Sequence, residues 1–236
     1  MKNLLILAFF IMALVVVQFA QAQTTTVDDV VDKYITALGG KEKLLALKTL
    51  KSEGTMSTQG YDISITNTRT HLTGLRMDID FNGTTNYQVL NTTKGSSFWP
   101  VRGQSDPEDM DAEQYKYLSV QLDLQGPLVN YKEKGNTVEL VGKETVDKAE
   151  TYHLKLTFKN AVVTNLYIDA ASGRLVKTSA KISMGGQEVE SVTTYADYKQ
   201  NADGYWFAYT VTTAQGTISY DKISTNIPVD ESIYKN

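Results

Sequence analysis

The sequence predicts a mainly β protein of the α+β class, built on one curved antiparallel sheet of roughly eleven or twelve strands. Between Ala161 and Asn226, segments rich in Thr, Val, Ile and Tyr alternate five times with short turns that contain Gly, Asn or Asp. β-Branched and aromatic residues favour strands, and turns this short join only antiparallel neighbours. From Lys48 onward the apolar residues recur with a period of two, which extends the same sheet towards the N-terminus.

The first 22 residues have the pattern of an export signal. Lys2 precedes an apolar run from Leu4 to Val17, and Ala20-Gln21-Ala22 matches the small-x-small cleavage pattern. A transmembrane anchor is the alternative, but the run is shorter than the roughly 20 residues that cross a bilayer. We therefore expect cleavage after Ala22 and an exported protein with a single domain over residues 23–236.

One amphipathic helix is predicted directly after the signal. Apolar residues recur at helical spacing from Val27 to Leu38, and Thr26 is a suitable N-cap residue. Gly39-Gly40 ends the helix because glycine readily adopts the left-handed conformation of a C-cap. Such a helix cannot bury its apolar face alone, so we expect it to lie on the sheet.

The remaining strands are predicted from alternation and turn residues. Asn82-Gly83 is the strongest hairpin signal, and Gly185-Gly186 marks another turn. The expected strands outside the C-terminal meander are Thr49–Ser57, Tyr61–His71, Gly74–Phe81, Thr84–Asn91, Gly95–Trp99, Thr137–Gly142 and Thr151–Lys159.

Residues 100–131 interrupt the strands. Asp106 and Pro107 have the pattern of an N-cap followed by proline at the first helical position, which predicts a helix that runs to about Leu122. A long insertion with its own helix is often a lid or plug over a sheet. A plain packing helix explains the same pattern, and the sequence leaves both alternatives open.

No motif in the sequence supports catalysis or metal binding, so we predict no enzyme, no metal and no cofactor. There is no cysteine and no Gly-x-Ser-x-Gly, and the two histidines, His71 and His153, stand alone. The acidic stretch from Asp106 to Glu113 is explained by helix-start electrostatics, and no calcium or phosphate loop is present. A small excess of acidic residues without basic runs argues against a nucleic-acid partner.

Fourteen tyrosines and two tryptophans are concentrated in and around the predicted strands. Aromatic residues of this kind pack within sheet cores and in cross-strand pairs. They also line apolar pockets, and a sheet that curls must fill its concave side with side chains or with a ligand. Both interpretations stay open at this level.

Several short motifs resemble a family of exported Bacteroidota-type proteins that is similar to the outer-membrane lipoprotein-sorting carriers with the LolA/LolB-like fold. These motifs are Tyr34–Gly40, Leu47–Leu50 with Gly54, Trp99-Pro100, Arg102-Gly103, Gly126–Leu128, Tyr131–Gly135, Val138–Gly142, Tyr167–Asp169, Thr194-Tyr195, Asp197-Tyr198 and Ile227–Asp230. The resemblance implies an incomplete antiparallel β-barrel of roughly eleven strands, wrapped around a helix and with helices covering an apolar cavity. In the carriers that cavity holds lipoprotein acyl chains during transit across the periplasm, and an arginine latches the lid. Arg69, Arg76 and Arg102 are the candidates for that role here.

The resemblance and the residues together predict a monomeric periplasmic carrier or binding protein for lipoprotein acyl chains or another lipid, with a role in outer membrane biogenesis. A membrane-bound donor or acceptor protein would exchange the cargo. The residues expected to line the pocket are Phe98, Trp99, Met110, Tyr117, Leu118, Leu122, Leu128 and Trp206. The alternative is a non-catalytic envelope interaction or sensor module whose apolar surface binds a protein partner.

Overall fold

The structure, a computed structural model, describes residues 25–184 and 187–235. The predicted signal at residues 1–22 and the predicted turn at Gly185-Gly186 lie outside the described residues. Thirteen strands are present: β1 Thr49–Thr58, β2 Tyr61–Thr70, β3 Gly74–Phe81, β4 Thr84–Asn91, β5 Gly95–Phe98, β6 Glu108–Asp109, β7 Thr137–Val146, β8 Ala149–Thr157, β9 Val163–Asp169, β10 Leu175–Met184, β11 Gln187–Gln200, β12 Trp206–Thr213 and β13 Gly216–Thr225.

All thirteen strands form one antiparallel sheet in the order β6-β5-β4-β3-β2-β1-β13-β12-β11-β10-β9-β8-β7. The pairing of β1 with β13 joins the N-terminal and C-terminal meanders. The sheet does not close, because β6 and β7 are its two edges. The predicted mainly β fold and the incomplete barrel are confirmed, and the two-residue strand β6 is an addition to the prediction.

Helix α1, Val27–Ala37, has the predicted start and end. Thr26 and Asp29 form a capping box, in which the Thr26 hydroxyl accepts a hydrogen bond from the Asp29 amide at 3.2 Å. Gly39 and Gly40 have φ angles of 118° and 94°, which glycine adopts without steric cost. The short helix α2, Lys41–Leu45, follows.

Helix α1 lies on the β7–β10 end of the sheet. Its buried residues Val30, Val31 and Ile35 pack against Leu154 and Leu156 of β8, together with the residues Leu44, Leu128, Val129, Leu166 and Ile168. We call β7–β10 with α1 the packed half, and the face of the sheet on which α1 lies the covered face.

The helix predicted over residues 106–122 begins later than expected. Helix α3 spans Ala112–Ser119, its N-cap is Asp111, and a 3-10 turn continues it through Leu122. The prediction of Asp106 as N-cap is wrong, because the chain that follows it first pairs with β5 as strand β6. The Met110 amide extends that pairing by donating a hydrogen bond to the Gly95 carbonyl at 2.8 Å, so a helix can begin only after it.

A C-terminal 3-10 turn, Glu231–Tyr234, covers the end of β2–β4. The Tyr234 ring lies so close to Gly74 that a Cβ atom there would approach a ring carbon to 2.2 Å. The Tyr234 hydroxyl is 3.1 Å from the Thr70 hydroxyl. The Tyr234 backbone carbonyl accepts a hydrogen bond from the Asn91 side-chain Nδ2 at 3.1 Å. Tyr234 therefore anchors this turn to the sheet.

Within residues 25–184 and 187–235, no helix has both the length and the apolar character to cross a membrane.

Candidate ligand-binding hollow

The segment Ala112–Leu122, which we call the lid segment, crosses the covered face from β4 to β10. At one side the Tyr115 hydroxyl donates a hydrogen bond to the Asn91 carbonyl at 3.0 Å. At the other side the Asn160 side chain donates to the Lys116 carbonyl at 3.0 Å. These contacts join strands that are far apart in the sheet order, so the curled sheet and the lid segment enclose a space between them.

Of the three candidate arginines, Arg69 bonds the lid segment. Its Nη2 donates a hydrogen bond to the Gln121 carbonyl. On the neighbouring turn, the Leu72 amide donates to the Leu122 carbonyl at 2.8 Å. The lid segment is therefore held to β2 and the β2–β3 turn through its own backbone carbonyls.

The other two arginines make different contacts. Arg76 pairs with Asp78 at 2.8 Å and lies over the Tyr87 ring at 4.2 Å. Arg102 is exposed and lies 5.0 Å from the Trp99 ring centroid. Neither contact reaches the lid segment.

A row of mostly apolar side chains runs across five neighbouring strands, β2, β1, β13, β12 and β11. Each member is the cross-strand partner of the next, so all of them share one face of the sheet. We call them the apolar row: Ile63, Met56, Ile218, Val211 and Tyr195. Every member remains partly exposed.

The apolar row lies on the covered face. The Tyr195 hydroxyl is 3.4 Å from the Thr178 hydroxyl, and Thr178 is the strand partner of Leu166, which packs under α1. Yet β11 and β12 contain no fully buried side chain. The apolar row therefore faces the enclosed side of the sheet, and no helix within residues 25–184 and 187–235 packs along it. We call β1–β3 with β11–β13 the hollow half.

Tyrosines that lie deep in the molecule line the same space. Burial raises the pKa of the hydroxyls of Tyr34, Tyr198 and Tyr220 above the usual value. All three side chains nevertheless keep some exposed surface. We infer from this combination that the three tyrosines border an internal space, which we call the hollow. Tyr117 of the lid segment is also partly exposed.

Arg69 lies in this region with unused hydrogen-bonding capacity. Its Nε atom is buried and has no hydrogen-bond partner among the described residues, and the same is true of the Asn67 Oδ1 atom two positions earlier on β2. Burial lowers the pKa of Arg69, whereas Asp123 and the hydroxyls of Tyr195 and Tyr220 act in the opposite direction. The guanidinium is thus a desolvated cation among tyrosine hydroxyls.

A second polar group adjoins the end of the lid segment. His71 Nδ1 is 3.7 Å from Asp123 Oδ1, too far for a hydrogen bond, and both atoms are buried without a partner. The other carboxylate oxygen of Asp123 accepts a hydrogen bond from Lys134 at 2.6 Å. Burial is the main reason that the pKa of His71 lies below its usual value.

Three residues predicted to line the pocket come together in the structure. Met110, Leu118 and Leu122 share one cluster with Leu75 of β3 and Leu90 of β4. This cluster fixes the lid segment to the β3–β4 side of the covered face.

The other predicted residues are spread over the molecule. Leu128 is buried in the packed half. The Phe98 ring lies 5.6 Å from that of Tyr87 on the neighbouring strand, between centroids. Trp206 lies 4.4 Å below the Arg174 guanidinium.

Sequence reasoning missed the residues of the apolar row, because they belong to ordinary strand patterns. Alternation marks one face of a strand as apolar, but it does not show whether anything packs on that face. Arg69 was among three candidates, and only tertiary contact distinguishes it from the others.

Two clefts open at the surface of the described residues. One, of about 270 Å³, is bordered by Asp29 and Lys33 of α1 and by Tyr152. The other, of about 410 Å³, lies between the β11–β12 turn at Asn201 and the end of β13 at Ile223. Neither includes a residue predicted to line the pocket. In the part of the chain that the structure describes, no group of three or more His, Asp or Glu residues could hold a metal ion.

No protein-family model matches the sequence, and no curated protein matches it. Solved structures do match. A LolA superfamily protein from Nitrosomonas europaea aligns with a TM-score of 0.56 and 12% identity, over 90% of this chain and 98% of that one. An outer membrane lipoprotein-sorting protein domain from Vibrio parahaemolyticus aligns with a TM-score of 0.54 and 13% identity, over 88% of this chain and 95% of that one.

A DUF1329 family protein from Desulfovibrio piger is also similar, with a TM-score of 0.52, 12% identity and coverage of 90% of this chain and 98% of that one. Identities this low establish similarity of fold, and the coverage shows that it extends over nearly the whole of each chain. The open antiparallel sheet with helices on its covered face is thus the arrangement that these proteins share, and the chain has the LolA-like fold.

Proposed function

We propose that this protein is a non-catalytic carrier or binding protein that holds an acyl chain, of a lipoprotein or another lipid, in the hollow. The observation that carries the proposal is the apolar row, which lies on the covered face and stays partly exposed, with no helix of the described part of the chain packed along it. An apolar surface in that position is stabilised when a hydrocarbon chain covers it.

The expected driving force is hydrophobic burial. Each CH₂ group moved from water into an apolar site contributes roughly 0.8 kcal/mol, so a long acyl chain supplies enough to offset the cost of association. Within the hollow, we propose that Tyr117 and Leu118 of the lid segment contact the chain on the side opposite the apolar row. Phe98, Trp99, Met110, Leu122, Leu128 and Trp206 remain predicted contacts.

Arg69 supports a lid function for the segment Ala112–Leu122. The hydrogen bond from its guanidinium to the Gln121 carbonyl breaks when the segment moves away from β2. Opening would then expose the hollow to cargo, and closure would restore the bond. We place this exchange in the periplasm, between a membrane-bound donor and an acceptor, as a part of outer membrane biogenesis.

The test is saturable uptake of a fluorescent fatty-acid probe by the purified protein. Val211→Asp puts a charge into the apolar row and should weaken probe binding by at least tenfold, because a carboxylate opposes burial of hydrocarbon. Val163→Asp is the matched control, since Val163 is 39% exposed and alternates with strand residues that face α1. We expect the control to bind like the wild type.

Two outcomes would overturn the proposal. One is a folded wild-type protein that takes up no probe, which would favour the alternative of an envelope module that binds a protein partner. The other is equal probe affinity in the Val211→Asp and wild-type proteins, both with native circular dichroism.

A further inference from the structure

The hollow contains a half-buried arginine whose Nε donor is buried and has no partner among the described residues. We infer that Arg69 is an anion-binding site for the head group of a single-chain amphiphile, a carboxylate or a phosphate, which enters the hollow head first. This inference rests on the proposed function, because it names the class of cargo that the same hollow would hold.

Arg69 has a hydrogen-bond donor that remains available to a ligand. Nη2 donates to the Gln121 carbonyl, but Nε is buried without a partner. A buried donor without an acceptor costs free energy, and an anionic acceptor removes that cost more effectively than a neutral one. The planar guanidinium also matches the geometry of carboxylate and phosphate groups.

The charges around Arg69 leave the cation incompletely balanced. Asp123 is the carboxylate that acts on Arg69, but it already pairs with Lys134 at 2.6 Å. His71, the remaining titratable group of the cluster, is neutral near pH 7, because burial lowers its pKa. Arg69 itself forms no ion pair among the described residues, so an anion from a ligand would balance its charge.

Neutral groups around Arg69 are suited to the same head group. Two hydroxyls, those of Tyr195 and Tyr220, belong to side chains on the same face of the sheet as Arg69. Each of these hydroxyls can donate a hydrogen bond to an anionic oxygen. The site thus offers hydroxyl and guanidinium donors to an anion, and the positive charge belongs to Arg69.

The position of Arg69 relative to the apolar row fits an amphiphile. Arg69 and Ile63 lie on the same face of β2, six residues apart, which is roughly 20 Å at about 3.3 Å per strand residue. The distance from Arg69 to the row is therefore comparable with the length of a long acyl chain. The arrangement separates one charged end of the hollow from one apolar end.

The inference is tested by comparing ligands that differ only in the head group. Dodecanoate, dodecyl phosphate and dodecanol would compete with a fluorescent fatty-acid probe at pH 8, where both anions are charged. We expect the wild type to bind at least one anion about tenfold more tightly than the alcohol, and the preferred anion identifies the head group. Equal affinity for all three ligands would overturn the anion site while leaving the proposed function intact. Binding of none of them would overturn the proposed function itself.

Substitutions of single arginines test which residue causes the preference for an anionic head group. Arg69→Gln keeps a side-chain hydrogen-bond donor but has no charge, so the anion-to-alcohol preference should fall to about one. Arg69→Lys should keep part of it. Arg102→Gln removes an exposed arginine and should leave the preference unchanged. An undiminished preference in Arg69→Gln would show that another group binds the anion. If that variant does not fold, the anion-to-alcohol affinity ratios of the wild type and of Arg69→Lys still test the site.

Discussion

The packed half and the hollow half belong to one sheet, but their covered faces are occupied differently. In the packed half, α1 lies on strand residues such as Leu154, Leu156 and Ile168, which have no exposed surface. In the hollow half, Met56, Ile218 and Val211 face the same side and remain partly exposed.

The difference shows that apolar patterning and apolar packing are separate properties of this sheet. Both halves have β-branched and aromatic residues on the covered face, but α1 packs along the packed half, whereas the lid segment packs on the β3–β4 side and leaves the apolar row partly exposed. We therefore expect truncations in the packed half to cost more stability, and truncations in the apolar row to affect binding more. This division can be tested by making the same change in each half.

The largest expected effect comes from Ile168→Ala. Ile168 has no exposed surface, so the substitution removes buried hydrocarbon and leaves a cavity in the packed half. We expect the free energy of unfolding, measured by urea denaturation, to fall by about 2–5 kcal/mol. Because Ile168 lies in the packed half, the affinity of the folded protein for the fatty-acid probe should stay unchanged.

Ile218→Ala is the matched change in the hollow half. Ile218 is partly exposed on the apolar row, so its truncation should lower the free energy of unfolding by only about 1 kcal/mol. It should weaken binding of the fatty-acid probe instead. Equal losses of stability at the two positions would contradict the distinction between the halves.

A smaller effect is expected at Gly74, on which the Tyr234 ring packs. In Gly74→Ala, the new methyl group would overlap the Tyr234 ring, and we expect a loss of about 1–3 kcal/mol in the free energy of unfolding. In a Tyr234→Ala background the same substitution should cost clearly less, since the ring is gone. A full cost in both backgrounds would show that Gly74 is required for another reason.

The smallest expected effect concerns pH. Because burial holds the pKa of folded His71 below its usual value of 6.5, the unfolded chain binds more protons as the pH falls. The stability that neutral His71 contributes is therefore complete above pH 6.5 and declines below it. Urea denaturation between pH 7.5 and 5.0 should show this decline in the wild type and a shallower one in His71→Gln. If stability declined equally with falling pH in both proteins, His71 would not contribute to the pH dependence.

Much of the fold follows from local chemistry, and the sequence predicts it. Thr26 and Gly39-Gly40 delimit α1 as expected, and Asn82-Gly83 forms the predicted hairpin turn, with φ angles of 52° and 76°. The helix start at Asp106 was wrong because the pairing of Glu108–Asp109 with β5 is a tertiary contact, which local capping preferences do not include.

The candidate site depends on tertiary contacts almost entirely. Nothing near Arg69 in the sequence indicates that its guanidinium reaches Gln121, or that Asp123 is already paired with Lys134. Tyrosines such as Tyr34 and Tyr198 are far apart along the chain and meet only when the sheet curls. Sequence patterns could predict a covered sheet with an aromatic interior, but not which part of it stays open.

The central claim is that the hollow binds an acyl chain, and native mass spectrometry tests it most directly. The protein would be purified without detergent, incubated with excess dodecanoate and transferred to the gas phase under gentle conditions. We predict a one-to-one adduct in the wild type and in Val163→Asp, and a strongly reduced adduct in Val211→Asp. A bare wild-type mass at saturating dodecanoate would contradict the claim.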